Sequence, residues 1–129
     1  MEKKTRPISP HLTIYKPQIT SVMSIIHRIT GIILFFGLLL FTWFLIIAVY
    51  TNFVTSNQDF LGIIASNCFF KIIMFCWTIS LFLHLYNGMR YLMWDSGRGF
   101  NMKTVTNTGY AALIMAVISA SVVWYIVLK

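Results

Sequence analysis

The chain has 129 residues and a mass of 14.9 kDa, enough for one domain. Hydrophobic residues make up 58% of it and charged residues only 10%, against about 25% charged in an ordinary soluble domain, which excludes a soluble enzyme. Ten Lys and Arg stand against three Asp and Glu, for a net charge of +7, but no wettable basic face is available for nucleic acid, so the reading is a membrane protein.

Taken in chain order, residues 1–20 carry Pro7, Pro10 and Pro17 and are expected to run extended on the cytoplasmic side. The first helix is expected to start after Pro17, near Thr20 or Ser21, where a hydroxyl can cap it. Its span covers about residues 26–50, with the uninterrupted apolar run from Gly31 to Tyr50. That run is too long for the core of a signal peptide and is expected to remain as an anchor. A second span is predicted over about 66–90, with Lys71 near its start and Arg90 at its end, and a third over about 108–128, free of charge between Lys103 and Lys129. Each is long enough to cross a hydrocarbon core about 30 Å thick as a helix and too continuous for a barrel strand. The predicted fold is therefore an all-α membrane protein with three transmembrane helices in a single membrane-anchor domain, 1–129. With the N-terminus in the cytoplasm, Lys3, Lys4, Arg6, Lys16, Arg28, Arg90, Arg98 and Lys103 all fall on the cytoplasmic side, and only Lys71 and Lys129 opposite, as the positive-inside rule requires.

Polar and ionisable groups inside a membrane are costly and mark candidate sites. Ser24, His27, Arg28 and Gly31 share one face at the start of the first helix. By themselves they also read as an ordinary membrane interface, with a snorkelling Arg, a capping Ser and an interfacial His. His84 lies deeper, six residues before Arg90, or roughly 9 Å along a helix. Gly88 follows it by one turn, with Tyr91 and Asp95 continuing that face. Two roles are equally open to His84 on these residues: an axial ligand of haem iron, with Gly88 giving a flat macrocycle room to approach, or a hydrogen bond to a neighbouring helix. A haem held there would turn its propionates toward His27, Arg28 and Arg90, and would need its second axial His from another polypeptide or from a second copy of this chain. Cys68 and Cys76 are eight apart on one helix, too far to be bridged, and read as packing.

The segment RPISPHLTIYKPQITSVMSIIHRITG, Arg6 to Gly31, and the segment HLYNGMRYLMWDSG, His84 to Gly97, resemble the two signature regions of the cytochrome b556 subunits of succinate dehydrogenase, in their alphaproteobacterial and mitochondrial branch. The Ser-x-x-His-Arg-x-Thr and His-x-x-x-Gly-x-Arg runs stand in the family's order and spacing, and the resemblance extends over essentially the whole chain. It implies a non-catalytic subunit for succinate oxidation, set in a bacterial inner or mitochondrial inner membrane within a succinate:ubiquinone oxidoreductase (respiratory complex II). The implied partners are the lipid bilayer, a second three-helix anchor with which it packs into a bundle, an iron-sulfur subunit and a flavoprotein, with no nucleic acid. It further implies one haem b shared with the second anchor, with His84 as an axial ligand of its iron and His27 and Arg28 at its propionates. Ubiquinone is the implied substrate, bound by Ser24 and Arg28. Tyr91 departs from the His or Phe that the family often carries after the Arg.

Two neighbouring readings follow from the same features: a haem-free structural anchor, and the anchor of a quinol:fumarate reductase. A small multidrug-type transporter is disfavoured, because it calls for an ionisable residue deep in a span to couple ion movement, whereas Asp59 and Asp95 both fall in predicted loops.

Overall fold

The computed structural model describes residues 14, 16–55, 62 and 66–129. His11, Asp59 and most of the N-terminal segment expected to run extended lie outside the described residues. Three long helices make up the fold: α1, Ile19–Thr55; α2, Cys68–Asp95; and α3, Met102–Leu128. Each is long and apolar enough to cross a membrane, and the described residues contain no strand.

The helices run past the apolar stretches that define them in sequence. At about 1.5 Å per residue the 37 residues of α1 span roughly 55 Å, well beyond a hydrocarbon core of about 30 Å. Charges such as Arg28 and Arg90 mark the edge of the lipid, whereas helix ends are set by backbone chemistry, so the two boundaries do not coincide. α1 starts as soon as Pro17 is passed. The Val22 N–H bonds to the Gln18 carbonyl at 3.1 Å, which puts Gln18 at the cap and leaves Thr20 and Ser21 inside the first turn. At the head of α2, the Asn67 side-chain oxygen accepts from the backbone N–H of Phe69 at 2.9 Å. The helix carries on through Arg90 to Asp95 and stops where Gly97 takes a φ of 77°, a left-handed conformation that glycine adopts without penalty. Asn101 then caps α3 by accepting from the Lys103 N–H.

The interior is built mainly of small and polar residues, and the exterior carries the large apolar ones. Buried positions are Met23, Ala48, Val105, Gly109, Ala112, Ala116 and Ala120 together with Thr30, Ser80, Asn87 and Arg90, while Phe35, Phe36, Leu40, Trp43 and Ile126 are among the exposed. In lipid a large apolar side chain gains nothing by turning inward, and helices associate through close backbone approach and interhelical hydrogen bonds. α2 packs against both neighbours. Toward α3 it uses the Gly109, Ala112, Ala116, Ala120 stripe and two hydrogen bonds, Tyr86 Oη with Ser119 Oγ at 2.8 Å and the Trp124 indole N–H to Thr78 Oγ1 at 3.2 Å. Toward α1 it lays Trp77 over Gly37, where a Cβ has no room, and Phe70 beside Phe44 with ring centroids 5.8 Å apart. The same antiparallel register carries His84 to the opposite end of this interface, onto Thr30 and Gly31.

Candidate functional site

The His84 ring rests on the backbone of α1. Its Nδ1 lies 3.1 Å from the His27 carbonyl oxygen and 3.2 Å from Thr30 Oγ1. Gly31 makes this approach possible, since a Cβ there would come within 3.2 Å of His84 Cε1. A carbonyl oxygen can only accept, so Nδ1 carries the proton and Nε2 is left with a lone pair. Nε2 has no partner among the described residues and is not one of their enclosed polar atoms, so it reaches the surface of the bundle they form. Both roles left open for His84 by the sequence are thus available at once: one nitrogen bonds the neighbouring helix and the other is free to act as a ligand.

His27 lies flat on His84, with ring centroids 3.9 Å apart and planes within 9°. Tyr91 meets the His27 ring edge-on at 5.0 Å, and Trp94 follows at 5.4 Å from Tyr91. The face His84, Gly88, Tyr91 therefore holds His27. A Cβ at Gly88 would sit 3.8 Å from His27 Cε1, an ordinary contact, so the space expected there for a macrocycle borders an imidazole, and the glycine that permits close approach is Gly31. His27 Nδ1 is enclosed without a partner among the described residues, which leaves Nε2 as the atom through which His27 can reach outside the chain. Asp95, at the end of the face, is exposed.

Ser24 and Arg28 occupy the adjoining stripe of α1, one turn apart, with Arg28 about 100° around the helix from His27. Ser24 is half-buried and Arg28 exposed, and neither has a hydrogen bond or ion pair among the described residues. Arg90 behaves differently from its expected place beside the propionates. It is 5% exposed and turned into the α2–α3 interface. Nη1 donates to Asn87 Oδ1 at 2.7 Å, Nη2 to the Val105 carbonyl at 3.2 Å and Nε to Thr108 Oγ1 at 3.4 Å, while the guanidinium lies 5.0 Å from the centre of the Trp94 ring. A cation at the lipid edge is far less costly when its donors are matched inside the bundle. Asn87, fully buried, completes the clamp by donating to the Met23 carbonyl at 2.7 Å, so that α1, α2 and α3 are tied at one level. The sequence reading missed Asn87 and gave Thr30 no role of its own. An amide three residues before an arginine within a span, and a threonine three residues after a histidine, are the signals that could have pointed to them.

The chain matches the family of succinate dehydrogenase/fumarate reductase transmembrane subunits over residues 2–123. The chain belongs to this family. Relatives include the succinate dehydrogenase cytochrome b556 subunit of Rickettsia prowazekii, 43% identical over 92% of this chain and 90% of the relative. The succinate dehydrogenase cytochrome b560 subunit of Reclinomonas americana is 41% identical over 94% of this chain and 85% of the relative. The human mitochondrial cytochrome b560 subunit is 34% identical over 89% of this chain and 68% of the relative. With three helices able to span and relatives that are bacterial and mitochondrial, this succinate dehydrogenase/fumarate reductase transmembrane subunit is a multi-pass protein of a bacterial or mitochondrial inner membrane.

The clamp makes a quantitative prediction for the transmembrane subunit. Asn87→Leu removes the bond that ties α2 to the Met23 carbonyl and leaves one buried guanidinium donor unmatched, and is expected to cost about 1–3 kcal/mol. Adding Arg90→Met removes the stranded donor, so the double variant should be destabilised by less than the sum of the two singles, with a coupling of about 0.5–3 kcal/mol. Thermal denaturation of the detergent-purified complex carrying each variant measures this, and strictly additive losses would contradict the clamp.

Proposed function

We propose that this chain is the membrane-anchoring cytochrome b subunit of a succinate dehydrogenase, that it holds a haem b through His84, and that it contributes Ser24 and Arg28 to a ubiquinone-reducing site. The observation that carries the haem reading is the state of His84. A neutral imidazole whose Nδ1–H is held by a carbonyl and whose Nε2 lone pair faces outward has the tautomer and the fixed orientation that a metal ligand requires, and the residues present fit the group in that respect. When bound, haem supplies a one-electron redox centre. His27 lies ring-on-ring with His84, so the two imidazoles of this chain would not hold the group between them, and a second ligand would come from outside the chain. That ligand is assigned to a second three-helix anchor, which packs against the face where His84 Nε2 emerges. His27, through Nε2, and Arg28 are placed to meet the propionates, and Arg90 is not, because its donors are engaged inside the bundle.

For the quinone, the two free polar groups on the neighbouring stripe of α1 have complementary roles. Reduction of a quinone builds negative charge on its carbonyl oxygens. The Ser24 hydroxyl can donate a hydrogen bond to one of them, and the Arg28 guanidinium stabilises the charge as it develops in a region of low dielectric. The reaction takes up two protons, which suits a site near the aqueous edge. In this reading the electrons arrive from an iron-sulfur subunit on the cytoplasmic or matrix side, and succinate is oxidised by a flavoprotein with no residue of this chain in contact with it.

A reduced-minus-oxidised optical spectrum of the purified membrane complex tests the haem assignment. The wild-type complex is expected to show a b-type band and His84→Leu to lose it, whereas a wild-type complex without the band would leave only the structural anchor. For the quinone site, Ser24→Ala and Arg28→Leu should each lower quinone reduction at least about tenfold, the scale for loss of a charge-stabilising group. Succinate oxidation with a soluble artificial acceptor should be unaffected. Normal quinone turnover in both variants would refute the assignment.

A further inference from the structure

We infer that Thr30 is a positioning residue for His84: as a second acceptor beside the His27 carbonyl it helps hold the imidazole with Nε2 outward and sets how strongly that nitrogen donates to a metal. The inference rests on the haem reading above. Thr30 is 4% exposed, so no water substitutes for its partners. Its hydroxyl has one proton to give, and Oγ1 lies 2.8 Å from the Ile26 carbonyl and 3.0 Å from the His27 carbonyl, groups that can only accept. With the proton spent on the α1 backbone, Oγ1 turns a lone pair to His84 Nδ1 at 3.2 Å. Nδ1 thus faces two acceptors, Thr30 Oγ1 and the His27 carbonyl at 3.1 Å, and has no donor beside it.

This arrangement blocks the competing tautomer. Were a donor placed at this position, His84 could present a bare Nδ1 to α1 and a protonated Nε2 to the outside, where it could not bind iron. The back-bond of Thr30 to its own helix keeps the hydroxyl proton away from the ring, so Thr30 acts in the same sense as the His27 carbonyl. Two acceptors on Nδ1–H also draw the proton partly off the ring and raise the basicity of Nε2. A more basic axial nitrogen stabilises ferric over ferrous iron, so Thr30 is expected to hold the haem potential down. Gly31, beside it, allows the ring to come close enough for both contacts.

The test uses the purified complex carrying Thr30→Val, which keeps the shape and removes the hydroxyl, and Thr30→Ser, which restores it. Redox titration of the haem band and the low-spin ferric EPR signal are the readouts. Thr30→Val is expected to keep the band but raise the midpoint potential and move the EPR signal. The change in ferric-to-ferrous preference should reach up to about tenfold, equivalent to about 59 mV for one electron. Thr30→Ser should return both toward wild type. A haem-loaded Thr30→Val complex with unchanged potential and EPR signal overturns the role of Thr30 and leaves the haem reading intact. A wild-type complex without haem overturns both. If Thr30→Val does not assemble, Thr30→Ala is read in the same titration, where an unchanged potential again overturns the inference and a raised one supports it.

Discussion

Hydrogen-bonding groups in a lipid-embedded bundle have no water to fall back on, and the arrangement of this chain follows from that requirement. Large apolar side chains are satisfied by lipid and stay outside. Space between the helices is left to small residues and to polar groups that can be matched there. The meeting of His84 Nδ1 with the His27 carbonyl is where this constraint matters most. It joins α1 to α2 and, because a carbonyl can only accept, keeps the proton on one imidazole nitrogen and leaves the other free. Gly31 and Thr30 exist, in structural terms, as the seat for that ring, and the His27 ring covers its face.

The same constraint separates the two arginines that the sequence grouped together. Arg90 has Asn87, Thr108 and the Val105 carbonyl within reach, so its charge is absorbed into the α2–α3 interface and becomes part of the scaffold. Arg28, exposed on α1, has no such partners among the described residues and remains available. A cation that is matched internally holds helices together, and one that is unmatched beside a half-buried serine is suited to a ligand bearing developing negative charge. His27 of α1 is held against α2 by the ring of His84 beneath it and by Tyr91 at its edge, with Trp94 behind Tyr91.

Much of the fold was legible in the sequence because long apolar runs admit few alternatives: three charge-poor stretches give three helices. Helix ends were less legible, since Gln18, Asn67 and Gly97 act through backbone geometry and not through hydropathy. Within the site, His84, His27, Ser24 and Arg28 stood out as polar residues in or beside an apolar stretch. The inward turn of Arg90 did not, because it depends on Thr108 and the Val105 carbonyl, which belong to a different helix. Thr30 was hidden for a related reason. A threonine bonded to its own helix is common in spans, and only the position of His84 against it gives it meaning. Gly88 illustrates the converse: its spacing from His84 was informative, but the group beside it is the His27 ring.

Ligand binding and helix packing in this chain meet at one ring and depend on which way it faces. A density map of the assembled, haem-containing complex, at a resolution that fixes imidazole orientation, tests it most directly. The account predicts His84 Nε2 bonded to the iron, with Nδ1 still within hydrogen-bond distance of the His27 carbonyl and Thr30 Oγ1. A map in which Nδ1 meets the iron, or in which the ring has left the α1 backbone, would contradict it.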